Sequence, residues 1–301
     1  MDDLNRELLE ELVRGNFEFV DLGCGTGESI GFCERKFKRR PGIGFDISER
    51  KIEGARANGQ TAVLADVTQT EFPKGCVSFC TMMDFLEHLF SLDAAITMLE
   101  RSGRLARDFL FIRHPSFEDI EYLASCGLKL DWTDWRGHRN MMRLDDFHSV
   151  FKSLGWEQYV IIPQKQIFDS SHPAVVPIDA PCDTVRYNPE SHGPKSSLYF
   201  TRPVWTQFDI FVRLNSSMEE KVWREVILSS SVMQQLDEIK ELYYERKERL
   251  TNAESAFAKE KERRIRAEDV KEKVKAKLLE LEEILLSERD ASTSETQQDG
   301  S

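Results

Sequence analysis

Residues 20–29, VDLGCGTGES, combine one acid with glycines at positions 23, 25 and 27. Glycine allows the backbone to turn with positive φ and to approach a ligand without a Cβ in the way. Asp21 lies near the carboxyl end of the apolar strand expected before this turn, where ligands of open α/β sheets bind. A carboxylate there suits a ligand with a cationic amine, because a pyrophosphate prefers a helix N-terminus without a neighbouring acid.

The spacing of the glycines narrows the choice of ligand. It is Gly-x-Gly-x-Gly, whereas dinucleotide-binding turns have Gly-x-Gly-x-x-Gly. With Asp21 beside it, the turn favours S-adenosylmethionine (SAM), whose methionine part carries an amine, over NAD. A turn that serves packing alone is the alternative interpretation of this segment.

A second set of titratable residues could act on the acceptor of a methyl group. Its members follow the next two apolar strands or lie in DWTDWRGHRN (131–140), and they are Asp84, Glu87, His88, His114 and His138. Methyl transfer from a sulfonium is an in-line displacement, and a hydroxyl acceptor can need a base to take its proton. We predict His88 as this base, oriented by Glu87, with Asp84 and His114 as further catalytic candidates. The alternative is that Glu87 and His88 begin a helix and that His88 only packs or caps.

These residues lie at the ends of strands in an alternating pattern of strands and helices. The expected strands are 17–22, 42–46, 61–65, 76–82, 107–114 and 156–162, and the expected helices are 2–14, 27–39, 48–58, 91–102 and 144–154. This alternation predicts a doubly wound α/β domain with a mostly parallel sheet. Segments 196–201 and 205–214 return to strand character, and the second alternates polar and apolar residues as an antiparallel edge strand does.

Four segments, in order, resemble the motifs of class I SAM-dependent methyltransferases. They are VDLGCGTGES (20–29), GIGFDIS (42–48), VLADVT (63–68) and VSFCTMMDFLEHL (77–89). The resemblance covers about residues 15–160 and implies a seven-stranded sheet with SAM as cofactor. It implies that Asp46 binds both ribose hydroxyls, that Asp66 accepts from the adenine amino group and that Val67 lies against the adenine ring. The cofactor-binding residues that we predict are Asp21, Gly23, Cys24, Gly25, Gly27, Asp46, Ile47, Asp66, Val67 and Met83.

The Leu-Glu-His run is similar to two narrower groups, the O-methyltransferases of quinone biosynthesis and the plant small-RNA 2′-O-methyltransferases. In those groups a Glu-x-x-Glu-His pattern takes part in catalysis or binds a divalent metal. This chain has Asp84 at the first acidic position, followed by Glu87 and His88. We assign no metal ligand from the sequence.

The chain changes in composition after residue 162. Most of the ten prolines fall in 163–196, which we predict to be an ordered insertion and substrate lid within a methyltransferase domain at 1–215. Proline is absent from 216–290, where a seven-residue register from Val232 to Leu285 predicts a long α-helical coiled coil. Such a helix cannot bury its apolar seam alone, so we expect a homo-oligomer or docking on another protein. Residues 291–301 are polar and are predicted to be disordered.

Charge and cysteine content limit the classes of partner and location. The net charge is −12, and because proteins that bind nucleic acid usually present a basic stripe, nucleic acid is not the expected partner. The six cysteines form no CxxC pair and no zinc-finger pattern. No signal peptide and no apolar run of transmembrane length is visible. We therefore expect a cytoplasmic protein with reduced thiols.

The residues after the fourth strand exclude some classes of methylated atom. Enzymes that methylate exocyclic base amines have an (Asn/Asp)-Pro-Pro-(Tyr/Phe) motif at this place. Cytosine C5 methyltransferases have a Pro-Cys nucleophile there. This chain has Met-Asp-Phe-Leu at 83–86. We predict O-methylation of a small-molecule, sugar or glycan hydroxyl. The alternatives are a scaffold that has lost catalysis and acts through its coiled coil, and an RNA 2′-O-methyltransferase.

Overall fold

Apolar residues on both faces of the strands build one seven-stranded sheet. The computed structural model describes residues 3–39 and 41–228, so the predicted coiled coil, apart from its start, and the predicted tail lie outside the described residues. The strands of this sheet are β1 (Phe19–Leu22), β2 (Gly42–Asp46), β3 (Ala62–Leu64), β4 (Val77–Met83), β5 (Ala106–Pro115), β7 (Tyr159–Asp169) and β9 (Tyr199–Arg213). Their order across the sheet is β3-β2-β1-β4-β5-β9-β7. Strands β1 to β5 pair in parallel, and β9 pairs antiparallel with β5 and β7. The predicted mostly parallel, seven-stranded α/β sheet is confirmed.

Helices cover both faces of the sheet. The helices of the described residues that flank it are α1 (Asp3–Val13), α2 (Glu28–Phe37), α3 (Glu49–Ala57), α4 (Leu92–Leu105), α6 (Leu144–Ser153) and α8 (Glu220–Leu228). Leu12, Leu99 and Phe151 bring α1, α4 and α6 into the core on one face. Cys33 and Trp223 belong to the core on the other face, where α2, α3 and α8 pack. None of the helices in the described ranges is long and apolar enough to cross a membrane.

Strand β9 differs from its prediction. It joins the segments 196–201 and 205–214 into one strand and lies between β5 and β7, so the prediction of an edge strand was wrong. Asp209 contributed to the polar positions that suggested an exposed face, but its side chain is fully buried. Its side chain pairs with Lys36 and Arg113, so the alternation of polar and apolar residues reflects a buried ion cluster.

The proline-rich segment carries more regular structure than its composition indicates. Strand β7 extends to Asp169, beyond the predicted end at residue 162, and Pro163 is tolerated because β7 is an edge strand. The remaining elements are short: α5 (Ile120–Ser125), β6 (Leu128–Leu130), β8 (Val175–Pro177) and α7 (Pro189–His192). Strands β6 and β8 form a separate two-stranded sheet over a small apolar cluster.

Candidate active site

The glycine-rich turn connects β1 to α2 at the carboxyl edge of the sheet. Gly23, Gly25 and Gly27 have φ angles of 78°, 55° and 84°, which residues with a side chain rarely adopt. A Cβ on Gly23 would lie 2.4 Å from the ring of Phe85, whereas nothing lies within 4 Å of the Cβ position of Gly25. The turn thus packs tightly on one side and leaves space for a ligand at Gly25.

Asp21 is buried beside this turn, with 1% of its surface exposed. Its Oδ2 accepts a hydrogen bond from Ser29 Oγ, and its Oδ1 has no hydrogen-bond partner among the described residues. Burial raises the pKa of Asp21 to about 7, because surroundings of low polarity disfavour the charged form. A buried carboxylate oxygen without a partner fits the cationic amine of a SAM methionine group, which would supply the missing donor.

Asp46 and Ile47 lie at the end of β2, next to the turn. The Asp46 carboxylate accepts backbone N–H bonds from Gly25 (3.0 Å) and Ser48 (2.8 Å), which hold it against the turn. A carboxylate oxygen can accept more than one hydrogen bond, so Asp46 retains capacity for ribose hydroxyls. Ile47 is 72% exposed and offers an apolar surface beside Asp46 to a nucleoside.

Asp66 and Val67 follow β3, and their side chains have different surroundings. Oδ1 of Asp66 accepts bonds from the N–H (2.9 Å) and the hydroxyl (2.6 Å) of Thr68. Val67 is only 5% exposed and belongs to the core. The contacts of both residues with an adenine ring stay predictions.

A cleft of about 700 Å³ opens beside the turn, at the carboxyl ends of β4 and β5. Cys24, Met83, Asp84 and Arg113 contribute to its lining. Burial raises the pKa of the Cys24 thiol, so Cys24 is a neutral group. Arg113 was absent from the sequence prediction, although a basic residue near the carboxyl end of the fifth strand was a signal that could have found it.

The chain turns sharply after β4 and places Glu87 inside the protein. Asp84 has a φ of 50°, a left-handed conformation that is uncommon outside glycine and that clusters at functional sites. Although Asp84 reaches solvent at the cleft, partial burial and then the charge of Glu87 raise its pKa to about 6. Leu86–His88 form a single 3₁₀ turn of their own, separate from α4, with Glu87 buried and His88 exposed.

The segment 131–142 folds against this 3₁₀ turn. The backbone N–H groups of Arg139 and Asn140 both donate to the carbonyl of Glu87, at 2.8 and 3.1 Å. These bonds bring His138 next to His88, and the two ring centroids are 5.0 Å apart.

The proline-rich segment supports the loop that carries His138. Trp135 Nε1 donates to the carbonyl of Thr184 at 2.9 Å. The backbone N–H of Arg136 donates to the Asp183 carboxylate at 2.8 Å, and the two side chains form an ion pair. The predicted role of 163–196 as a substrate lid stays a prediction, but part of it holds this loop in place.

Two backbone carbonyls orient His88 and His138. Nδ1 of His88 lies 3.1 Å from Gly137 O, and Nδ1 of His138 lies 2.8 Å from Trp132 O. Since a carbonyl only accepts, both Nδ1 atoms carry the proton and both Nε2 atoms keep a lone pair in the neutral rings. Burial lowers the pKa of His138, which favours its neutral form. Each imidazole can then act through Nε2 as a base or as a metal ligand.

Glu87, His88 and His138 form a group with the spacing of metal ligands. One possible ligand atom from each lies within 4.8 Å of the other two. His114 lies behind Glu87, with Nδ1 3.4 Å from Glu87 Oε2 and neither ring nitrogen in a regular hydrogen bond within the described residues. Burial favours a higher pKa for Glu87, but the contact and charge of His114 outweigh it and lower that pKa. The sequence singled out each of these residues, and only the fold shows that His138 belongs with Glu87.

A profile described as a methyltransferase domain matches residues 1–160, more than half of the chain. The chain belongs to this methyltransferase family. The family is SAM-dependent, and SAM is the cofactor of this methyltransferase. The unpartnered oxygen of Asp21 and the open space at Gly25 fit that cofactor.

Comparison with solved structures finds chains of low sequence identity. A SAM-dependent methyltransferase from Archaeoglobus fulgidus is 16% identical with a TM-score of 0.44, over 69% of this chain and 94% of that one. Magnesium protoporphyrin IX methyltransferase from Synechocystis PCC 6803, solved with bound SAM, is 15% identical with a TM-score of 0.37, over 69% and 77%. Among curated proteins, none matches this chain in sequence.

Proposed function

We propose that this methyltransferase transfers the methyl group of SAM to a hydroxyl of a small molecule, sugar or glycan. The observation that supports this proposal is the convergence of Glu87, His88 and His138 beyond the carboxyl end of β4. A hydroxyl is a weak nucleophile and gains most from groups that remove or polarise its proton. Asp84 lines the cleft, and Glu87 and His88 lie close enough to Asp84 for their charges to influence its pKa.

The roles of the side chains follow from their protonation. When bound, SAM supplies an electrophilic methyl group on a sulfonium. The His88 side chain is exposed, and its Nε2 keeps a lone pair because Nδ1 donates to Gly137 O; Nε2 takes the proton of the acceptor hydroxyl. Glu87 is ionised and lies beside His88, so its charge stabilises the imidazolium that forms. The glycine turn and Asp46 would hold the donor, and methyl transfer would require its methyl group to lie in line with the acceptor hydroxyl.

RNA 2′-O-methylation is the second candidate, and the same three residues favour it. Two imidazoles and a carboxylate are suitable ligands for a divalent cation, and each imidazole is oriented by a carbonyl at Nδ1, as metal-bound histidines commonly are. A cation held there would lower the pKa of a ribose hydroxyl. The net charge of −12 opposes RNA binding, so this candidate ranks second.

The test is a screen of hydroxyl acceptors that measures the conversion of SAM to S-adenosylhomocysteine. The panel contains sugars, glycans, small phenols and single-stranded RNA with either a 2′-hydroxyl or a 2′-deoxy end, each with EDTA and with added Mn²⁺. We expect turnover of a sugar or small-molecule hydroxyl that falls at least 100-fold in His88→Ala and less than twofold in His148→Ala, an exposed histidine outside the group. Turnover of RNA only, dependent on Mn²⁺ and on the 2′-hydroxyl, would select the second candidate. If the chain binds the donor but methylates no acceptor, the remaining interpretation is a scaffold that has lost catalysis.

A further inference from the structure

Arg113, Lys36 and Asp209 form an ion cluster beside the cleft. Arg113 donates to Asp209 through two nitrogens, with Nε 2.7 Å from Oδ1 and Nη2 3.0 Å from Oδ2. Lys36 Nζ lies 3.1 Å from the same Oδ2. The Asp209 side chain is fully buried, and those of Lys36 and Arg113 are 5% and 15% exposed.

The cluster holds one cation more than its carboxylate requires. Lys36 alone would neutralise Asp209, and the aromatic rings of Phe111 and Phe211 also face its ammonium group. Burying an additional guanidinium costs free energy unless a further anion compensates it. The fold therefore carries a partly buried positive charge whose compensating anion is not among the three residues.

Arg113 is rigidly held and faces the cleft. Its two contacts with Asp209 fix the plane of the guanidinium, and the ring of Phe32 lies 4.5 Å from Cζ. Nη1 makes no hydrogen bond with the described residues. Since Arg113 lines the cleft together with Asp84, the unused donors of Nη1 are available to a ligand.

The other polar groups at this place have the opposite sign. Asp84 lies in the same cleft as Arg113, and Asp21, with its unpartnered Oδ1, lies beneath the turn that forms the next wall. Burial raises the pKa of both acids, and the charge of Arg113 offsets only part of that rise at Asp84, so each acid still gains from a further cation. A ligand group that carries an ammonium and a carboxylate on one carbon matches acids on one side and a guanidinium on the other.

We propose that Arg113, positioned by Asp209, binds a ligand carboxylate in this cleft, namely the carboxylate of the donor's methionine group. The inference concerns donor binding and holds whichever hydroxyl is methylated. A carboxylate on the acceptor has the same chemistry and is the competing source. If Arg113 binds the carboxylate of the donor, its loss should not affect a donor analogue that lacks the amino-acid part. If Arg113 binds a carboxylate of the acceptor, its loss should affect neither the donor nor this analogue.

Calorimetry on the full chain tests the assignment with two ligands. S-adenosylhomocysteine carries the amino acid, and 5′-methylthioadenosine lacks it. We expect Arg113→Gln to weaken the binding of S-adenosylhomocysteine by about 10- to 100-fold and to change that of 5′-methylthioadenosine less than twofold. Arg107→Gln, an exposed arginine at the opposite end of β5, is the matched control and should change neither.

Three results overturn the assignment. Equal weakening of both ligands would show that Arg113 only supports the fold of the cleft. Unchanged affinity for both, with a raised KM for an anionic acceptor, would move the carboxylate to the acceptor. Unchanged affinity without any effect on an acceptor would remove Arg113 from ligand binding. If Arg113→Gln does not fold, Arg113→Lys keeps the charge beside Asp209 but loses the fork, and it should weaken only S-adenosylhomocysteine, by several fold.

Discussion

Nδ1 of His114 lies 3.4 Å from Oε2 of Glu87, and neither side chain is more than 1% exposed. A buried charge that loses its partner destabilises a protein strongly. We therefore expect His114→Ala to lower the free energy of unfolding by about 3–5 kcal/mol, since the buried Glu87 carboxylate then loses the ring that it contacts and a cavity replaces that ring. Urea unfolding measures this loss.

The double variant separates the charge from the cavity. In Glu87→Gln the carboxylate is gone, so the additional change His114→Ala should cost about 1–2 kcal/mol less than it does in the wild-type chain. Strictly additive losses would mean that the pair has no coupling and that His114 serves packing alone.

Asp21 combines burial with a predicted role, binding of the donor's amine, that requires its charge. Its pKa of about 7 lies above the ordinary value of 3.8. Between these values the folded state holds a proton that the unfolded state has released, so Asp21 lowers stability progressively as pH rises through this window. We expect Asp21→Asn, which cannot ionise, to raise the free energy of unfolding of the ligand-free protein by about 1–3 kcal/mol at pH 8 and to change it little at pH 4.

Asp21→Asn should also weaken the binding of the donor. A cationic amine beside Asp21 favours the carboxylate, so binding of S-adenosylhomocysteine should release a proton near pH 7 in the wild-type chain and none in Asp21→Asn. Calorimetry in buffers of different ionisation enthalpy counts the protons. An equal count in both proteins would show that Asp21 does not face the amine.

Asp46 is predicted to bind the ribose, and its two backbone bonds hold it in place for that role. We expect Asp46→Ala to weaken the binding of both S-adenosylhomocysteine and 5′-methylthioadenosine by about 10- to 100-fold, because both ligands contain the ribose. Asp93→Ala, at an exposed acid in the first turn of α4, is the control. Loss of S-adenosylhomocysteine binding alone would assign Asp46 to the amino-acid part instead.

The sequence predicted the parts of this molecule that depend on local patterns. Gly23, Gly25 and Gly27 have positive φ angles that the glycine spacing predicts, and short runs of apolar residues between helical segments identify β1 to β5. Asp209 could not be placed, because a polar residue in an alternating strand indicates a solvent face unless its partners are known. Those partners, Lys36 and Arg113, come from α2 and β5 and meet it only in the folded sheet.

His138 shows the same limit of sequence-based prediction at the candidate active site. Its sequence context of tryptophans and charges gives no sign of Glu87, and the bonds from Arg139 and Asn140 to the Glu87 carbonyl bring His138 next to it.

Whether a divalent cation binds to Glu87, His88 and His138 can be measured. The second candidate function requires that the ligand-free chain binds Mn²⁺ and that His138→Ala weakens that binding at least tenfold, because one of the three protein groups is then lost.

Titration calorimetry with MnCl₂ at pH 7.5 measures the affinity, with His148→Ala as the matched control. Since an imidazole must lose its proton to bind a metal, the affinity should fall as the pH is lowered, and burial, which lowers the pKa of His138, keeps that ligand available to a lower pH. If Mn²⁺ binds equally to the wild-type chain and to His138→Ala, the cation sits elsewhere, and His88 acts as a base without metal.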